Sequence, residues 1–297
     1  MQSKAIDEEN GLRTVLQYAF MRKDFAVNYF TSNYKVASFE TDRRKFLGDN
    51  GYGTWARPKS LENDQLSNYQ ALRGDNICAL LHQLGTLAPG EEKRVITQLG
   101  QATSFEDEKD RINFYRDETN VDKAFEDLAS FWDEYLSYQQ VETPDKNFDT
   151  MIHSHNPRQC YITKNWSRYL SLYQVGLGAR GIGFRDSSQD SMGILASRPE
   201  EARELMEMLL KVQNTDGSAM HQFNPVTMIA NRGDSAEMED RPDFYGDDHL
   251  WIVLAVCAYI KETGNTDFLN KQIPFYEKDK NGEPIEAGSV LEHLNRA

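Results

Sequence analysis

The spacing of apolar residues changes once along this chain, near residue 118. A fold built only of strands or only of helices cannot use both patterns, because strands repeat every two residues and helices about every 3.6. Before the change, residues 24–30, 36–39, 77–81 and 95–100 read as short strands. Pro89-Gly90 sits between the last two and reads as a tight turn, Pro holding one φ and Gly permitting a positive one. Strand, turn and strand with no helix between them predict an antiparallel sandwich.

After the change, Val121, Phe125, Leu128, Trp132 and Tyr135 recur at three and four residues and predict one face of a linker helix, with Pro144 beyond its end. Ser197-Arg198-Pro199-Glu200 matches a capping box, in which Ser and Glu satisfy free N–H groups reciprocally. Ala202, Leu205, Met206, Leu209 and Val212 then form an apolar stripe that Asp216-Gly217 is expected to stop. Residues 250–260 are apolar all round, which predicts a helix buried on every side, with Cys257 as a small core residue. Gly264 is placed to end that helix, and residues 289–297 begin another with no cap at Arg296-Ala297. Amphipathic helices alternating with all-apolar ones predict two concentric rings, an α/α barrel. At most three helix pairs follow residue 148, about half of a six-pair barrel.

The charge balance removes several functions. With 33 Lys and Arg against 47 Asp and Glu, the net charge is −14. No basic stripe is available for nucleic-acid phosphates or an anionic membrane surface. The 11 residues of the run 250–260 fall short of the roughly 20 that cross a bilayer. The N-terminus has no apolar signal segment, and Cys78, Cys160 and Cys257 suit neither a disulfide framework nor a zinc knuckle. These features predict a cytoplasmic protein. His153-Ser154-His155 has no partner at zinc spacing, and no GxSxG elbow occurs.

Three polar segments carry the candidate chemistry. Residues 178–190 combine small residues, which let backbone approach a ligand, with Arg180, Arg185, Asp186, Gln189 and Asp190. Such paired donors and acceptors suit sugar hydroxyls; a salt-bridge network tying a loop to a helix start would use the same residues. Residues 217–225 contain His221, which reads either as a titrating group or as a hydrogen-bonded structural residue. Residues 243–251 contain Asp247 and Asp248, whose pairing before an apolar run fits acid–base work or helix capping.

Taken together, Arg180-Gly181-Ile182-Gly183-Phe184-Arg185-Asp186-Ser187-Ser188-Gln189-Asp190, Asp216-Gly217-Ser218-Ala219-Met220-His221-Gln222-Phe223 and Asp247-Asp248-His249-Leu250-Trp251 resemble glycoside hydrolase family 94, the inverting disaccharide phosphorylases. Asn156-Pro157-Arg158-Gln159-Cys160 fits the start of that family's barrel. The resemblance implies a β-sandwich, a helical linker, an (α/α)6 barrel and a homodimer. It implies cleavage of a β-linked disaccharide such as cellobiose by inorganic phosphate, giving α-glucose 1-phosphate without a cofactor. Positions matching Arg180 and Asp186 hold the transferred sugar in the family, and Arg185, Gln189 and Asp190 are expected to support that pocket.

The family's general acid is the Asp of a Trp-Asn-Asp motif that does not occur in these 297 residues, and its phosphate-binding His and Thr-Gly lie later still. The expectation is therefore an internal fragment with no catalytic residue of its own, the acid lying downstream of Ala297. It divides into the later part of the sandwich (1–117), a linker helix region (118–147) and the first half of the barrel (148–297). The alternatives are an inverting hydrolase on the same barrel, which needs a second carboxylate to activate water, and a non-catalytic carbohydrate-binding protein.

Overall fold

A computed structural model describes residues 1–18, 27–48, 55–169, 181–233 and 245–297. They form two compact units, Met1–Ala129 and Ser130–Ala297.

The first unit is β-rich. It contains β1 (Gln2–Asp7), β2 (Arg13–Tyr18), β3 (Val27–Ser32), β4 (Ser38–Asp42), α1 (Arg43–Leu47), β5 (Asn76–Leu81), β6 (Thr97–Ala102) and α2 (Phe105–Phe114). α3 (Glu118–Ser137) begins in this unit and ends in the next. Four strands make one antiparallel sheet in the order β1-β2-β3-β6, and β4 pairs with β5 in another. The first expected strand, residues 24–30, has its first three positions outside the described residues. The second is displaced, since β4 starts at Ser38.

The Pro89-Gly90 turn forms, the Glu91 N–H donating to Ala88 O at 2.9 Å, but it does not join a hairpin. β5 pairs with β4 and β6 pairs with β3. A tight turn sets register only when strands leave it directly, and here residues 82–96 intervene. Gly100 in β6 answers to this pairing, because a side chain there would collide with the Tyr29 ring on β3.

Leu16, Tyr29, Phe105 and Ile112 form a buried cluster in this unit, with Ile6, Val27 and Ala102 packed against them. α2 is started by Ser104, whose hydroxyl accepts the Asp107 N–H, and Glu106, Asp107 and Glu108 sit at its positive end. Beyond its other end Arg116 grips both Glu8 carboxylate oxygens, at 2.8 and 2.9 Å, and reaches Thr31 at 2.9 Å.

Only part of the expected α3 stripe is covered. Tyr135 is fully buried, whereas Phe125 is 68 % exposed and Leu128 half-exposed. Tyr135 stacks on Phe131, meets Trp132 and Tyr161 edge to face, and donates its hydroxyl to Pro157 O at 2.9 Å, so packing gathers at the helix's C-terminal end.

The second unit continues with α4 (Lys146–Thr150), α5 (Asn156–Ile162), β7 (Ile182–Gly183), α6 (Phe184–Met192), α7 (Pro199–Leu210), β8 (Gln222–Phe223) and β9 (Ala230–Asn231). It ends with α8 (Leu250–Thr263), β10 (Gln272–Pro274), β11 (Ala287–Ser289) and α9 (Val290–Arg296). Wide π-type turns cover Met151–His155 and Thr163–Tyr169. α6, α7 and α8 pack on one another, and the predicted stripe of α7 is entirely buried, joined by Phe184, Ile252, Ala255 and Val256.

Three local readings are corrected. The capping box does not form: α7 begins at Pro199, so Ser197 lies one position too early and Arg198 occupies the cap without a side-chain bond. α7 also ends at Leu210, before Asp216-Gly217 is reached. α8 is not buried all round, because α6 and α7 cover one side only. Ile252, Ala255, Val256 and Tyr259 face inward, while Leu254 is 54 % exposed, Leu250 is exposed, and Cys257 is exposed rather than core. Gly264 ends α8 in the left-handed conformation, φ +69°, as its position predicts.

Candidate functional site

The site begins at Gly181. Its φ is +88°, and any side chain there would meet the Phe223 carbonyl. That close approach lets Ile182 pair with Phe223 and Gly183 with Gln222, and the Phe184 N–H donates to His221 O at 2.9 Å. The first and second polar segments are thereby fastened together by backbone. The chain then enters α6 with Arg185 and Asp186 in its first turn, the carboxylate at the positive end of the helix.

Arg185 brings in the third segment. Its Nη1 donates to Asp247 Oδ2 at 2.8 Å, and Trp251 Nε1 donates to the same oxygen at 3.4 Å. The Arg185 hydrogen bond is the largest influence on Asp247 and holds its carboxyl below the ordinary carboxylate range. Asp248, the next residue, is fully buried. Its Oδ2 lies 2.7 Å from His221 Nδ1, while Oδ1 has no hydrogen-bond partner among the described residues. Neither acid caps α8: His249 occupies that position, without a side-chain bond. His221 is therefore hydrogen-bonded, to a carboxylate. Its ring stacks on Tyr245 with centroids 4.0 Å apart, and Gly233 lies against both rings.

A second group runs along α6. Arg168 Nε donates to Asp190 Oδ2 at 3.0 Å, and its Nη1 lies 3.3 Å from Asp186 Oδ2. Burial raises Asp190 above the ordinary carboxylate range, against the opposing effect of Arg168. Asp190 lines a cavity of about 330 Å³ with Asn165, Arg168, Ser187, Lys164 and Glu201. Asn165 Nδ2 and Ser187 Oγ are buried there without hydrogen-bond partners among the described residues.

Of the residues singled out from sequence, Arg185 and Asp186 stand in the first turn of α6 and Asp190 one turn further. Gln189 is exposed and its side chain has no hydrogen-bond partner among the described residues, and Arg180 lies outside them. Arg168 was missed. It is a single arginine 22 residues before Asp190, and no local pattern connects the two. Elsewhere, His153 Nε2 accepts the Val141 N–H at 2.7 Å. Among the described residues no group of three or more His, Cys, Asp or Glu could hold a metal ion, and no helix is long and apolar enough to cross a membrane.

A guanidinium, two accessible carboxylates and an imidazole at one end of a helical layer define a polar site suited to ligands that both donate and accept hydrogen bonds. Comparison with known families gives this class a name. The "Glycosyl hydrolase 94, supersandwich domain" matches residues 1–118, and the "Glycosyl hydrolase 94 superfamily, catalytic domain" matches residues 131–297. The chain belongs to the glycosyl hydrolase 94 superfamily.

Among its relatives, N,N'-diacetylchitobiose phosphorylase of Vibrio proteolyticus is 33% identical over 285 residues, covering 91% of this chain and 34% of the relative. Solabiose phosphorylase of Paenibacillus borealis is 29% identical over 267 residues, covering 90% and 30%. The cyclic beta-(1,2)-glucan synthase NdvB of Rhizobium meliloti is 29% identical over 283 residues, covering 91% and 9%. The chain spans about a third of the length of the first two.

Proposed function

We propose that this chain carries the sandwich and the sugar-holding part of an inverting disaccharide phosphorylase. The observation that carries the reading is the meeting of three polar segments through the Phe184–His221, Arg185–Asp247 and His221–Asp248 contacts. In this reading residues 1–117 belong to the sandwich, 118–147 to the linker and 148–297 to an (α/α)6 barrel. Arg180 and Asp186 hold the transferred sugar, with Arg185, Gln189 and Asp190 in support.

The reaction needs no cofactor. A phosphate oxygen attacks the anomeric carbon from the face opposite the glycosidic oxygen. The C–O bond to the leaving sugar breaks, a carboxylic acid protonates the departing oxygen, and an α-sugar 1-phosphate results. Phosphate is itself the nucleophile, so no second carboxylate is required to activate water. No residue of this chain takes the role of that acid. Asp247 is a poor proton donor because Arg185 favours its ionised form.

The substrate class is a β-linked disaccharide. Cellobiose is the leading expectation from the sequence, and the names of two relatives support N,N'-diacetylchitobiose as a second candidate. The test is release of sugar 1-phosphate from each, with and without phosphate, by the protein as its gene encodes it. Phosphate-dependent release supports the reading. Sugar release at the same rate without phosphate replaces it with the hydrolase alternative. Saturable sugar binding without cleavage replaces it with the carbohydrate-binding alternative.

A further inference from the structure

We propose that His221 is a ligand-orienting residue: Asp248 holds its Nδ1–H, and Nε2 is thereby presented as a bare hydrogen-bond acceptor to a sugar hydroxyl. The chemistry of the ligand rests on the phosphorylase reading above; the geometry does not.

A carboxylate buried as completely as Asp248 is costly unless donors surround it. Among the described residues the donor to its Oδ2 is His221 Nδ1, at 2.7 Å. A carboxylate oxygen only accepts, so Nδ1 carries the hydrogen, and a neutral imidazole then has its lone pair on Nε2. Nε2 has no hydrogen-bond partner among the described residues and is not among the buried orphan atoms, in a side chain that is 20% exposed. It is the open polar atom of the ring.

The ring cannot swing freely. Tyr245 stacks on it at 4.0 Å, and the Gly233 backbone lies close enough that an added Cβ would be 2.7 Å from His221 Cδ2. The backbone is held too, since His221 O accepts the Phe184 N–H immediately before Arg185 and Asp186. An acceptor of restricted motion thus sits on a segment fastened by backbone to the start of α6, whose first turn carries Arg185 and Asp186. A histidine serving only to satisfy Asp248 would need Nδ1 and no free edge.

Two variants separate these roles. His221→Asn places an amide N–H where Nδ1 stands, keeping the bond to Asp248 and deleting Nε2. His221→Gln places an amide oxygen near Nε2 and gives up the Asp248 bond. In the protein as its gene encodes it, His221→Asn is expected to lose about tenfold or more in kcat/KM for the disaccharide, the scale of one unmade buried hydrogen bond. Its KM for phosphate and its unfolding midpoint stay near the parent's. His221→Gln keeps more activity than His221→Asn despite a lower midpoint. The reverse order, Asn active and Gln inactive, overturns the proposal and makes His221 a strut for Asp248.

If the parent releases no sugar 1-phosphate from either disaccharide, the activity reading fails and calorimetric titration with glucose and N-acetylglucosamine decides this one. Weaker binding by His221→Asn than by the parent and His221→Gln supports it. Equal binding by all three, or none by the parent, overturns it.

Discussion

Arg168 holds two carboxylates of one helix: its Nε bonds Asp190 at 3.0 Å and its Nη1 stands 3.3 Å from Asp186. Asp186 and Asp190 are one turn apart on α6, so their charges would repel if this guanidinium were absent. The forked shape of arginine lets one side chain serve both.

Arg168→Met is accordingly expected to leave Asp190, whose side chain is mostly buried, beside Asp186 without its cation. The loss of stability should be about 1–3 kcal/mol, the cost of an unsatisfied buried group, read from urea unfolding. Arg168→Lys should recover only part of it, because an ammonium cannot bridge the pair in a plane. An unchanged midpoint in Arg168→Met would show that the cavity solvates Asp190 unaided.

The Glu8–Arg116 pair makes the β-rich unit sensitive to acid. Burial on its own raises the Glu8 carboxyl, and the hydrogen bonds from Arg116 and Thr14 with the Arg116 charge more than reverse this, leaving it below its ordinary value of 4.5. The unfolded chain then binds the proton more readily than the folded one. The pair's contribution is complete above pH 4.5 and is lost as pH falls through the lower, folded-state value. Glu8→Gln should therefore flatten the fall in unfolding midpoint below pH 4.5 and lower the midpoint at neutral pH.

Gly181→Ala tests the join between the first two polar segments. The substitution demands a left-handed backbone at φ +88° and puts a methyl group onto Phe223 O. Strain of this kind costs about 1–3 kcal/mol. The expected result is a lowered thermal midpoint together with weakened sugar binding, since β7 and β8 place both Arg185 and His221. A loss of stability with sugar affinity intact would separate the join from the site.

Leu250, Leu254 and Cys257 leave an apolar strip exposed along α8. Exposed contiguous apolar surface binds hydrophobic dyes and promotes association. The isolated 297-residue chain should enhance the fluorescence of such a dye and associate as its concentration rises. Leu254→Glu should reduce both at little cost in stability, because the side chain it replaces is more than half exposed. A Leu254→Glu protein that binds as much dye as the parent would locate the dye elsewhere.

Local signals in the sequence carried much of this architecture. The 3-and-4 spacing from Ala202 to Val212 marks a core stripe that is wholly buried. Gly264 marks the end of α8. The polar segments around Asp186, His221 and Asp247 point together to one family, and the family models match. Each of these signals lies within about a dozen residues, where helix geometry and turn chemistry act directly.

Partnership across long separations was decided by the tertiary structure. A run such as 77–81 says that a strand exists, but its partner is chosen by which faces can be buried together, and β5 went to β4 rather than across the Pro-Gly turn. An all-apolar helix states that it can be buried, whereas the neighbours present decide how many of its sides are, and α8 has one side exposed. Arg168 with Asp190, and His221 with Asp248, are 22 and 27 residues apart. Their pairing follows from the three-dimensional placement of α6 and the loop before α8. Charge and hydrogen-bonding capacity belong to residue types and can be read in order along a chain; the distances that turn them into a site exist only once the backbone has folded.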